Sequence, residues 1–146
     1  MSLTREPSLA IRNCCWVDIP GVADARGQVN FAELGKGLPF VPKRLFWLHR
    51  IAPGQWRGRH GHRQSELLLV ALHGGCLIDL DDGRARQQVM LDDPTRALHL
   101  GTWVWHELIE FAPQSVVLVI ASTLYDEAEY LRDYETFKRE AATRMA

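Results

Sequence analysis

The chain has 146 residues, a mass of 16.6 kDa, 47% hydrophobic and 24% charged residues, and a formal net charge of −1 from 17 basic and 18 acidic side chains. That length suits a single domain spanning 1–146, and the composition suits a packed core; the lack of a basic excess argues against a general nucleic-acid binder. No apolar run approaches the roughly 18–20 residues of a membrane span, and residues 1–13 lack the apolar core of a secretion signal, so a cytoplasmic protein with no membrane partner is expected.

Short apolar runs separated by turn signals predict an all-β fold. Residues 16–20 (WVDIP) form a first strand, closed by Pro20-Gly21. Residues 28–34 (QVNFAEL) follow a turn at Asp24-Ala25-Arg26-Gly27, and a Gly- and Pro-rich loop covers 35–42. A longer strand is expected over 43–51. The continuous apolar run 66–72 (ELLLVAL) reads as a strand buried on both faces. Residues 76–80 and 85–91 flank Asp81-Asp82-Gly83, a strong hairpin signal. Three further runs occupy 96–100, 102–111 and 115–122. From Tyr125 onward Gly and Pro are absent, and Tyr130, Leu131, Tyr134 and Phe137 recur at helical spacing, so one or two helices are expected there. About nine strands followed by a short C-terminal helical segment point to a double-stranded β-helix, the cupin jelly roll, whose facing sheets leave a cup between them.

The densest chemical signal is Arg57-Gly58-Arg59-His60-Gly61-His62. On a strand, His60 and His62 point to one side. Two imidazoles there can move protons or ligate a metal. With Glu66 four residues on and His106 in a later strand, the metal alternative is His60, His62, Glu66 and His106, a set suited to a first-row transition metal. If the strand around 102–111 is regular, His106 faces the cup and Trp105 packs elsewhere. His73 is expected in solvent, and His49 and His99 in the core or at the rim. Fourteen of the 17 basic residues are Arg, five of them at 44, 50, 57, 59 and 63; coding bias and bidentate phosphate binding both account for this. The odd set Cys14, Cys15 and Cys76 is no disulfide framework and reads as small buried or half-buried hydrophobes. No nucleophile elbow, dinucleotide fingerprint or phosphate loop is present.

The ordered motifs D-x-R-G (24–27), LPF (38–40), K-R with an aromatic strand (43–47), R-G-x-H-x-H (57–62), G-x-C-x-I-D-L-D-D-G (74–83), W-H-E (105–107) and S-x-x-Y-D-E-x-x-Y-x-R-x-Y-x-x-F (122–137) resemble the dTDP-sugar 3,4-ketoisomerases, cupins of the FdtA, QdtA and WxcM type. The resemblance runs from about Trp16 to Phe137. It implies a homodimer with exchange of N-terminal strands. It also implies a cofactor-free shift of the keto group from carbon 4 to carbon 3 of a dTDP-linked 4-keto-6-deoxyhexose, on the route to deoxy-amino sugars of surface polysaccharides. In that light His60 and His62 are the catalytic pair. Arg26, Arg57, Arg59, Phe46, Trp47, His106 and Tyr125 are the expected substrate-binding residues. Two departures stand out: Phe46 and Trp47 occupy a strand where the family carries tyrosines, and Leu67 stands where it carries glutamine. Tyr125 is then a candidate replacement phenol. Two rival readings remain, a metal-dependent cupin enzyme and a non-catalytic nucleotide-sugar-binding cupin.

Overall fold

The computed structural model describes residues 9–144. Twelve short strands are present: β1 (Cys14–Asp18), β2 (Gly21–Asp24), β3 (Gly27–Asn30), β4 (Arg44–Leu48), β5 (Arg57–His62), β6 (Leu67–His73), β7 (Cys76–Asp81), β8 (Arg86–Leu91), β9 (Arg96–Leu100), β10 (Trp105–Ile109), β11 (Val116–Ala121) and β12 (Tyr130–Leu131). A single 3-10 turn covers Glu127–Glu129, and one helix, α1, covers Tyr134–Arg144. The first sheet runs β1-β9-β6-β11-β4 and the second β12-β5-β10-β7-β8; β2 and β3 form a separate hairpin. All pairings are antiparallel, and the two facing sheets make the expected jelly roll.

Side-chain alternation explains the core. From the first sheet Leu67, Leu69, Val117, Val119 and Leu98 point inward, meeting Ile78, Leu80 and Leu108 from the second. The outward residues Leu68, Val70 and Ile120 are also buried, because Leu38 and Phe40 of the loop after β3 cross that face. This is why β6 carries no polar alternation: both its faces are covered.

Helix α1 lies behind the second sheet. Phe137, fully buried, packs its ring 5.7 Å from that of Trp105, with Tyr134 5.3 Å from the same indole. A Cβ on Gly61 would sit 3.3 Å from Phe137, so the glycine between the two histidines lets the helix seat against β5.

Several expectations need correction. Gly21 opens β2 rather than a loop, and the strand expected over 28–34 stops at Asn30. Tyr130 and Leu131 are not helical: they pair with His62 and Gly61 across β5, and helix starts only at Tyr134. Helical spacing misleads here because β12, an edge strand of the second sheet, passes almost directly into α1, which packs behind that sheet. Cys15 is exposed, unlike Cys14 and Cys76.

Replacing Phe137 by Ala leaves a cavity between α1 and β10. Urea denaturation is expected to show a loss of about 3–5 kcal/mol.

Candidate functional site

Between the sheets lies a cavity of about 530 Å³. His60 and His62 enter it from β5 and His106 from the neighbouring β10, where it pairs directly with His60. Ring centroids are 4.9 Å apart for His60 and His62, 4.8 Å for His60 and His106, and 5.8 Å for His62 and His106. Trp105, the next residue on β10, turns to the helix side, so His106 alone of that pair faces the cup.

Each imidazole is oriented by its other nitrogen. His60 Nδ1 lies 3.1 Å from the Gly58 carbonyl, His106 Nδ1 3.4 Å from the Val104 carbonyl, and His62 Nδ1 2.6 Å from Glu129 Oε1. A carbonyl only accepts, so Nδ1 of His60 and of His106 carries the proton. The lone pairs left on Nε2 converge. His62 Nε2 is buried and has no hydrogen-bond partner among the described residues.

Glu129 makes the buried support. Its carboxylate accepts from Ser65 Oγ at 2.7 Å and from the Gln64 and Ser65 amides at 3.2 and 3.3 Å. Burial acts to raise its pKa, but hydrogen bonds from Ser65 and His62 outweigh this and hold the carboxyl below its usual range. The three histidines are lowered as well, and for an imidazole a lower pKa favours the uncharged ring. Burial, then the charges of His62 and Arg132, lowers His60 to about 4. Burial lowers His62 against the opposing pull of Glu129, and lowers His106 well below its ordinary value. At neutral pH the cup therefore holds three uncharged imidazoles.

A β-bulge decides which arginines join them. His106 pairs with His60, but Glu107 pairs with Gly58, so Arg59 is the extra residue. Gly58 and Arg59 both adopt left-handed φ, +87° and +60°. A Cβ on Gly58 would come within 2.8 Å of the His106 carbonyl oxygen, which leaves room only for glycine. The bulge reverses the alternation. Arg57 lines the cup with His60 and His62, and its guanidinium has no ion-pair partner among the described residues. Arg59 turns away, 3.7 Å above the Trp56 ring and 3.7 Å from the Glu107 carboxylate.

The remaining expected site residues divide. Phe46 lines the cup from β4. Trp47, its neighbour, points to the opposite face and is 60% exposed, so strand alternation removes it from the cup. Tyr125 is also outside: its hydroxyl donates to Glu127, and its ring lies 5.7 Å from Tyr130. Arg26 sits at the tip of the β2–β3 hairpin with a 91% exposed side chain, paired to Asp24 at 2.6 Å. Glu66 is not with the histidines. Its carboxylate accepts from His99 Nε2 at 2.9 Å on the outer face of the first sheet, which removes it from the metal alternative. Among the described residues, His60, His62 and His106 alone form a group whose ligand atoms lie within 4.8 Å of one another. His49 and His73 are exposed.

Three functional neighbours escape the sequence reading. Tyr130 packs over both His60 and His62, with centroids 4.9 and 4.6 Å away. Arg132 lines the same wall, held by Glu127 at 2.6 Å. Glu129 fixes His62. All three lie in the Y-D-E-x-x-Y-x-R stretch; its motif spacing is the signal that marks them. Arg44 is half-buried between Phe46 and Tyr125, and its buried Nε and Nη2 have no hydrogen-bond partner among the described residues.

The fold and this cup define a cupin jelly roll whose cavity brings three imidazoles together beside Arg57 and Arg132. Residues 12–142 match the family described as FdtA: WxcM-like, C-terminal, and the chain belongs to that family. A TDP-4-oxo-6-deoxy-alpha-D-glucose-3,4-oxoisomerase from Aneurinibacillus thermoaerophilus is 37% identical over 123 residues, 84% of this chain and 88% of its own. The structure of the QdtA 3,4-ketoisomerase from Thermoanaerobacterium thermosaccharolyticum in complex with TDP aligns with a TM-score of 0.88 at 30% identity, over 92% of this chain and 98% of that one. The TDP-quinovose 3,4-ketoisomerase WlaRB from Campylobacter jejuni aligns with a TM-score of 0.83 at 34% identity, over 88% and 99%.

The depressed histidines couple stability to pH. An unfolded His60 takes up a proton near its ordinary value of 6.5, whereas the folded one resists until about 4. The unfolded state thus binds more protons in that window, and stability falls as pH drops through it. Urea unfolding at pH 7.5 and pH 5 is expected to differ by about 1–2 kcal/mol, and His60→Gln is expected to flatten the difference.

Proposed function

We propose that the chain is a TDP-sugar 3,4-ketoisomerase whose acid–base groups are His60, His62 and Tyr130. The observation that carries this reading is the convergence of uncharged, oriented imidazoles beside a phenol and the Arg57 and Arg132 side chains. The family membership and the named activities of the ketoisomerase relatives support the reaction class.

The reaction needs a proton taken from carbon 3 and one delivered to carbon 4, through an enediol. His62 Nε2 is the base for carbon 3: the Glu129 carboxylate fixes its tautomer and stabilises the imidazolium that forms. His60, the more open of the pair, takes up a proton at Nε2 from solvent or from the neighbouring His62 imidazolium, whose ring centroid is 4.9 Å away, and delivers it to carbon 4. The Tyr130 hydroxyl carries the proton between the two sugar oxygens as the carbonyl moves. Arg57 and Arg132 hold the diphosphate. Phe46 removes a phenol from β4, and Tyr130 provides one on the facing wall. Such an isomerase serves deoxysugar biosynthesis and works in the cytoplasm, on a nucleotide sugar made there; residues 1–146 act as one domain.

We assign the apolar outer face of β4 to a second copy of the chain. Leu45 and Trp47 are 59% and 60% exposed there, beside a strand edge that is unpaired among the described residues. Trp47 is then an interface residue. Arg26 reaches a substrate phosphate only across such a dimer, because its own protomer holds it outside the cup. Trp47→Asp is expected to convert the dimer to monomer in sedimentation measurements.

One observation favours a second reading. Three Nε2 lone pairs with oriented Nδ1 partners also suit a divalent metal. The deciding experiment incubates the protein with TDP-4-keto-6-deoxyglucose in heavy water with a chelator and follows the sugar by NMR. A 3-keto sugar carrying deuterium at carbon 4 is expected. Loss of turnover on chelation, restored by one metal per chain, would transfer the chemistry to the metal. Binding without turnover would leave a nucleotide-sugar-binding protein. His62→Asn is expected to lower kcat by about a hundredfold or more, and Arg57→Ala to raise KM about tenfold with kcat little changed.

A further inference from the structure

A second set of reactive groups lies on the outer face of the first sheet, away from the cup. β1 pairs with β9 so that Cys15 and His99 are direct cross-strand partners. Cys15 Sγ is 3.8 Å from His99 Nδ1, and His99 Nε2 is 2.9 Å from Glu66 Oε1. A carboxylate on Nε2 keeps the proton there, leaving the Nδ1 lone pair to accept from the thiol. The backbone of Glu66 is itself anchored, its amide donating to Ser122 Oγ at 2.8 Å, and Phe40 stands 6.2 Å from the His99 ring. A recess of about 360 Å³ opens beside the sulfur, lined also by Asn13, Gly101 and Thr102. A Cβ on Gly101 would meet the Asn13 carbonyl oxygen at 2.8 Å, so glycine lets the strands close behind the recess.

The other two cysteines are different. Cys14 points into the core, and burial pushes its thiol up to about 12. Cys76 is fully buried and is raised to about 12 by the same cause. Alternation along β1 thus places one silent and one accessible thiol at adjacent positions.

We propose that Cys15, His99 and Glu66 form a thiol-exchange site that takes small disulfides. The Cys15 proton passes to His99 Nδ1. The thiolate attacks one sulfur of the disulfide, a new bond to Sγ forms as the old sulfur–sulfur bond breaks, and the departing thiolate takes the proton back from the imidazolium. One mixed disulfide and one free thiol result, and excess thiol reverses the step. The recess accommodates the attached group. This site is independent of the ketoisomerase reading, because none of its residues enters the cup.

The test uses the full chain and the aromatic disulfide 5,5′-dithiobis(2-nitrobenzoate), followed by stopped-flow absorbance and peptide mass spectrometry. One equivalent per chain is expected to react rapidly, mapping to Cys15. At pH 6 its rate is expected to exceed that of free glutathione by about tenfold or more, because His99 Nδ1, 3.8 Å from the sulfur, accepts the thiol proton as the attack proceeds. Cys15→Ser removes the fast phase. Glu66→Gln and His99→Gln, checked for folding by circular dichroism, are expected to slow it about tenfold. A wild-type rate at or below that of glutathione overturns the proposal, as does fast labelling of Cys14 or Cys76. So does a Glu66→Gln variant that is folded and reacts at the wild-type rate.

Discussion

The contact between His62 and Glu129 organises the site. It spans 67 residues of sequence and ties the last strand to β5 through a fully enclosed carboxylate. An isolated carboxylate at that depth is strongly disfavoured, so Ser65 and two backbone amides are recruited to it. The same network bends the chain between β5 and β6 around the carboxylate. One group therefore fixes a tautomer, closes a wall of the cup and holds β12 in register. A buried carboxylate with four donors leaves little freedom for the ring it supports.

Electrostatics in the cup follow from crowding. Three imidazoles within a few ångströms, under Arg132 and beside Arg44, cannot all be protonated. The positive charge sits instead on guanidinium groups that never release it. In the proposed reaction the cavity thus separates two tasks: fixed cations for phosphate, neutral rings for proton movement.

Much of this was legible in the sequence. The apolar run of β6, the Asp81-Asp82-Gly83 hairpin and the same-side placement of His60 and His62 follow from periodicity and turn chemistry alone. So does the division between Trp105 and His106. What escaped was non-local or irregular. The bulge at Gly58 and Arg59 reverses which arginine faces inward, and strict alternation has no means of showing it. Glu66 has the right spacing for a ligand but lies just before β6 with its side chain on the outer face, where His99 meets it. Tyr130 and Glu129 read as part of a helix because three- and four-residue intervals also arise where a strand passes into one.

The late position of Glu129 in the chain has a consequence for assembly. During vectorial synthesis every strand except β12 precedes it. Both sheets can therefore pair, and the histidines can be gathered, before the carboxylate that orients His62 exists. Until then that ring is free to hold its proton on either nitrogen and to face water. A nascent chain in this condition carries β1 to β11 but lacks the carboxylate, Tyr130 and Arg132, so the groups on which the proposed proton transfers depend are supplied by the last part of the chain to be made.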